Sequence, residues 1–131
     1  MPFTTIVNRA ALDHIFQKAV WPQPGNLSIA LSTTTPDADG NNVTEPSGNG
    51  YARVATTPAE WDRNSNPNEM TNNVRKDFPE ATGPWGTITH FVLYDNTTPI
   101  GWGALTASQA VTTGQQPYFN AGELIFRYTT A

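Results

Sequence analysis

Hydrophobic residues recur at helical spacing in only one stretch of the chain. After Asn8, a good N-cap residue, Leu12, Ile15, Phe16 and Ala19 fall at i, i+3, i+4 and i+7, the apolar stripe of an amphipathic helix. Pro22 and Pro24 stop it. The spacing predicts a short helix over residues 9–19 that packs on a larger body through Leu12, Ile15 and Phe16.

Elsewhere the period is two. Leu27, Ile29 and Leu31 alternate with Ser28, Ala30 and Ser32, a half-buried strand. Residues 51–57 form a second strand. The clearest pattern runs from Trp85 to Asp95, with Ile88, His90, Val92 and Tyr94 on one face and Thr89, Phe91 and Leu93 on the other. Both faces are rich in apolar residues, which places this strand centrally, with Trp85, Phe91, Leu93 and Trp102 buried. A turn at 96–99 returns the chain through 100–105 as its hairpin partner. Gly101 and Gly103 flank Trp102 and suggest close backbone approach. A last hairpin joins Tyr118-Phe119 to residues 124–128 through Asn120-Ala121-Gly122. Short strands punctuated by turns argue for a mainly β fold: an antiparallel, jelly-roll-like β-sandwich with one short N-terminal α-helix.

Two connections are long for an ordered domain, residues 34–50 and 58–72. The first is almost wholly Thr, Pro, Asp, Gly and Asn; the second is rich in Asn and Pro but carries Trp61 and Met70. Internal repeats and heptads are absent from the sequence.

Composition narrows the function classes. The 131 residues suit a single domain, 1–131, with an N-terminal arm and helix. About two-thirds of the extended chain's surface can be buried at this size. Seven Lys and Arg against eleven Asp and Glu, a net charge of −4, leave no basic footprint for nucleic acid or an anionic membrane. The first residues lack the basic and apolar regions of a signal peptide, and no apolar run is long enough to span a bilayer. With no cysteine, thiol catalysis and thiolate metal sites are excluded.

The remaining chemistry is sparse. Asp37-Ala38-Asp39-Gly40 through Glu45 invites a calcium reading, but Gly and Glu fall at the wrong positions for an EF-hand, and a polar turn is the simpler account. His14 and His90 have no Gly-x-Ser-x-Gly or similar nucleophile motif to serve. Glu80 is the one carboxylate near the central strand. The glycine clusters lack the Lys-Ser/Thr end of a phosphate loop. Catalytic residues, cofactor sites and metal sites are therefore expected to be absent. Trp61, in a long loop, is the candidate for exposure, either as a sugar-stacking face or docked on another chain.

Several strings stand together in order. They are Leu12-Asp13-His14; Leu27-Ser28-Ile29-Ala30-Leu31-Ser32 followed by Thr35-Pro36; Glu45-Pro46-Ser47-Gly48-Asn49-Gly50-Tyr51-Ala52-Arg53; and Phe78-Pro79-Glu80-Ala81 leading to Trp85-Gly86-Thr87-Ile88-Thr89-His90-Phe91. Gly103-Ala104-Leu105 and Phe119-Asn120-Ala121-Gly122-Glu123-Leu124 complete the set. With them the chain resembles, over nearly its whole length, a family of small tailed-bacteriophage virion proteins labelled phage tail fibre proteins. That resemblance implies a viral structural protein and brings no catalytic residue. Two regions depart from the family pattern. The 95–102 hairpin is shorter than expected, and residues 58–77 carry Trp61, Arg63, Arg75 and Lys76 where relatives look like Ala, Gly and Ser.

Fibres are elongated and usually trimeric, and their chains show repeats, heptads or β-helical periodicity. This chain has none, so it reads first as a capsid decoration or cement protein and, alternatively, as a tail fibre or tail-tip adhesin that binds host-surface carbohydrate. Its expected partners are other phage virion proteins, the major capsid protein or tail proteins, with a homo-oligomer left open. Its expected place is the outer surface of capsid or tail, assembled in the bacterial host cytoplasm. Phe3, Ile6 and Val7 precede any element that could bury them, so they read as an apolar arm. Together with Trp61 and Met70 they are the expected partner interface, and deleting residues 1–5 should leave the domain folded.

Overall fold

The computed structural model describes residues 3–63, 66 and 68–127. One helix, α1 (Thr5–Ile15), precedes the strands β1 (Leu27–Ser32), β2 (Val54–Ala55), β3 (Trp61–Arg63), β4 (Glu69–Asn72) and β5 (Lys76–Asp77). β6 (Gly86–Asp95), β7 (Thr98–Val111), β8 (Tyr118–Phe119) and β9 (Ile125–Arg127) follow. Every pairing is antiparallel, in sheets of order β2-β1-β6-β7, β3-β4-β9 and β5-β8. The result is the expected mainly β, sandwich-like architecture.

β6 lies between β1 and β7, the central position that its two apolar faces require. The inner face of the large sheet gives Ile29, Leu31, Ile88, Phe91, Leu93 and Ile100 to the main core, where they meet Phe78, Phe119, Leu124 and Phe126 from the smaller sheets and loops. Aromatic rings join the layers: Phe91 packs edge-on against Phe119 at 5.4 Å and Phe126 at 5.9 Å. Ala30, Val92 and Tyr94 form a second cluster with Trp102 on the outer face.

The alternation fails at one point. Between Ile88 and His90 the register shifts, since Ile88 pairs Gln109 while His90 pairs Ala104. This β-bulge moves Ile88 to the side of Phe91 and Leu93 instead of that of Val92 and Tyr94. Trp85, Phe91 and Leu93 are buried as expected, and Trp102 is half-buried. The expected hairpin of 118–119 with 124–128 is corrected: β8 pairs β5 and β9 pairs β4. The second long connection is also no loop. It folds as a 3-10 turn, Pro58–Glu60, followed by β3 and β4.

Residues 34–50 have no strand but are tied down. Asp37 Oδ1 accepts from the backbone N–H groups of Asp39 and Asn41, both at 2.9 Å. At the far end Glu45 accepts from Tyr51 Oη (2.7 Å), Arg53 Nε (3.0 Å) and Arg53 Nη2 (2.7 Å). Arg53 also donates to the Asn96 carbonyl at 2.8 Å and lies over the Tyr94 ring at 3.9 Å. Tyr51 Oη accepts from Leu31 N–H, and its ring meets Trp85 edge-on at 5.3 Å. The Gly-Tyr-Ala-Arg string is thus a clasp that fastens the loop to β1 and β6. Burial by itself would raise the Glu45 pKa, but the Arg53 and Tyr51 hydrogen bonds and the Arg53 charge outweigh it, and the pKa is lowered.

Candidate interaction surface

α1 begins four residues earlier than the stripe suggested and ends four earlier. Its base is fixed. Thr4, buried, donates its N–H to the Ile100 carbonyl and its hydroxyl to the Pro99 carbonyl, both at 2.9 Å. Thr5 N–H donates to the Ala38 carbonyl at 3.0 Å, and Val7 is 2% exposed within the core. The far end closes where Gln17 adopts φ 62°, a left-handed residue that terminates helices.

Anchoring through Thr4 and Val7 turns the helix over. Its small residues Ala10 and Ala11 are half-buried, while Leu12 (56%), Ile15 (68%), Phe16 (68%) and, just beyond, Val20 (80%) stand in solvent. The expected packing of Leu12, Ile15 and Phe16 onto the body is therefore corrected: the large residues form a projecting apolar ridge. The free arm is corrected as well. Val7 is core, Phe3 pairs with Gly101 in an antiparallel bridge and stacks on Phe126 at 6.4 Å, and Ile6 alone of the three is exposed. The backbone approach that Gly101 foreshadowed is made by this N-terminal segment.

Beside the ridge lies an apolar groove of about 370 Å³. Phe126 and Leu93 come from the core, Phe3 from the N-terminal bridge, Ile100 from β7, Trp61 and Met70 from β3 and β4, Trp21 and Pro24 from the segment after α1, and Leu27 from the start of β1. Gln23, Thr56 and Thr57 are the polar side chains in its lining. Trp61, half-buried, donates its indole N–H to Thr56 Oγ1 at 3.0 Å and meets Phe126 edge-on at 5.7 Å. Pro58, on the rim, belongs to the turn held by the Thr57/Glu60 capping box. Glu60 receives Lys76 Nζ and Thr57 N–H, each at 2.8 Å. The Lys76 hydrogen bond, then that of Thr57, lower its pKa.

Of the five residues singled out in the sequence, the structure brings Phe3, Trp61 and Met70 to this groove and leaves Ile6 and Val7 outside it. Trp21, Leu27, Leu93, Ile100 and Phe126 complete it. The one sequence signal for these was Trp21, an aromatic in a proline-rich segment that offers no element to bury it. The histidines serve local structure: His14 Nδ1 accepts Trp21 N–H at 3.3 Å, and His90 Nδ1 lies 2.8 Å from Thr89 Oγ1 with its ring edge-on to Trp102. Glu80 is exposed. Among the described residues no cluster of His, Asp and Glu could hold a metal ion, and no helix is long and apolar enough to cross a membrane.

A family model described as podophage GP4 fiber I protein gp80 matches residues 2–127. The chain belongs to this gp80 family of phage fibre proteins. Membership makes it a phage virion structural protein. No curated protein matches it. The gp80 match takes in the ridge, the groove and the Tyr51–Arg53 clasp alike, so all three lie within the family domain.

Proposed function

We propose that this chain is a non-enzymatic structural part of the tail-fibre apparatus, attached to other virion proteins. The gp80 match over residues 2–127 carries the reading and favours a fibre role over a capsid cement. The physical support is the ridge: soluble domains seldom leave several hundred Å² of contiguous apolar surface in water unless it binds something. Among the described residues, the histidines and carboxylates bring no nucleophile, base and orienter together in one place. A gold-labelled antibody against the protein, applied to purified particles, should decorate the tail. Labelling spread over the capsid would restore the cement reading.

The adhesin reading has one favourable observation, the Trp61 and Trp21 pair in the groove wall. The groove supplies few polar groups for sugar hydroxyls, which weighs against it. A glycan array with a saturable hit lost on Trp61→Ala would establish it.

A further inference from the structure

We propose that the α1 ridge of one copy seats in the groove of a second copy of this chain. Ridge and groove adjoin, because the backbone N–H of Trp21, whose residue lines the groove, donates to His14 Nδ1 on α1 at 3.3 Å. A face that carries a knob beside a hole is self-complementary, and a two-fold axis can place each ridge over the other copy's groove. The chain does not fill its own groove in this way. Thr4 and Val7 pin the base of α1 with its large side chains turned outward.

Spacing and area fit this occupant. Leu12, Ile15 and Phe16 fall at i, i+3 and i+4, the anchor pattern of a helix laid in an apolar groove. With Val20, these side chains are 56%, 68%, 68% and 80% exposed and leave roughly 500 Å² open, on the scale of about 150–250 Å² for a whole aromatic side chain. The groove walls bring the face toward the roughly 800 Å² per partner of a stable pair.

The test is sedimentation of the full chain over a range of concentrations, with Leu12→Asp/Phe16→Asp for the ridge and Met70→Asp for the groove. These residues are exposed, so an unchanged circular dichroism spectrum controls for folding. Wild type should associate, and each variant should weaken association at least about tenfold. The native chain has no cysteine, so mixing Phe16→Cys chains with Met70→Cys chains under oxidation should give a mixed disulfide dimer. A monomer at all concentrations, or an oligomer that both variants leave intact without the mixed disulfide, overturns the proposal. A monomer whose ridge variants drop out of virions also overturns it, in favour of another virion protein as occupant. The proposal stands or falls separately from the fibre reading, since gold labelling reports place on the particle and sedimentation reports self-association.

Discussion

Replacing Glu45 with Ala removes the centre of the clasp. The carboxylate accepts three hydrogen bonds, from Tyr51 and twice from Arg53. The ion pair is about three-quarters shielded, with side-chain exposures of 30% for Arg53 and 24% for Glu45. A fully buried pair broken on one side costs about 3–5 kcal/mol, and an exposed one about 0–1 kcal/mol. Partial shielding and the hydroxyl left without its acceptor place this site at about 2–3 kcal/mol. For a domain of this size, that lowers Tm by about 6–12 °C. Tyr51→Phe keeps the ion pair and the Trp85 contact but removes two hydrogen bonds, the one given to Glu45 and the one accepted from Leu31 N–H, and should cost about 2 kcal/mol. Thermal unfolding followed by circular dichroism measures both. If Glu45→Ala costs less than about 1 kcal/mol, the cost of an exposed pair, the Glu45–Arg53 pair contributes nothing and the clasp account is wrong.

Phe126→Ala should cost about 3–5 kcal/mol in a urea titration, because its ring touches Phe3, Trp61 and Phe91; a cost under about 1 kcal/mol would contradict its place as groove floor. Gly40→Ala should cost more than about 2 kcal/mol, since Gly40 has φ +80° and an added Cβ would lie 2.5 Å from Pro99 carbons; chemical denaturation checks it. The lowered pKa values of Glu45 and Glu60 make stability present above their ordinary value of 4.5 and lost as pH falls below it; Glu45→Gln should flatten that acid limb of a Tm-against-pH curve. Deleting residues 1–5 should lower Tm by several degrees, contrary to the expectation for a free arm, because Thr4 carries two backbone-directed bonds and Phe3 stacks on Phe126.

β1 and β6 were legible in the sequence because each strand buries apolar side chains against a sheet, and period two survives wherever pairing is regular. It was lost at Ile88, where a bulge reverses the alternation that sequence reading assumes. β3 and β4 were hidden by Asn and Pro, whose turn preference is overridden when Trp61 packs on the core and Phe126 pairs with Met70. The helix was visible from its stripe, but its orientation was not. A stripe says only that one face wants burial, and here Thr4 and Val7 take the intramolecular contacts while Leu12, Ile15 and Phe16 are left outward. Phe3, Trp61 and Met70 were singled out as apolar residues in polar surroundings, and they meet in one groove. The rest of that groove comes from core residues such as Leu93 and Phe126, which pattern alone assigns to packing.

The central claim, a structural part of the phage tail fibre apparatus, is tested most directly by the protein's copy number in separated tails and heads, measured by quantitative mass spectrometry. The account predicts recovery with the tails, in a low number that matches the tail's rotational symmetry. Recovery with the heads, on the order of hundreds of copies per particle as a capsid lattice would require, would contradict it.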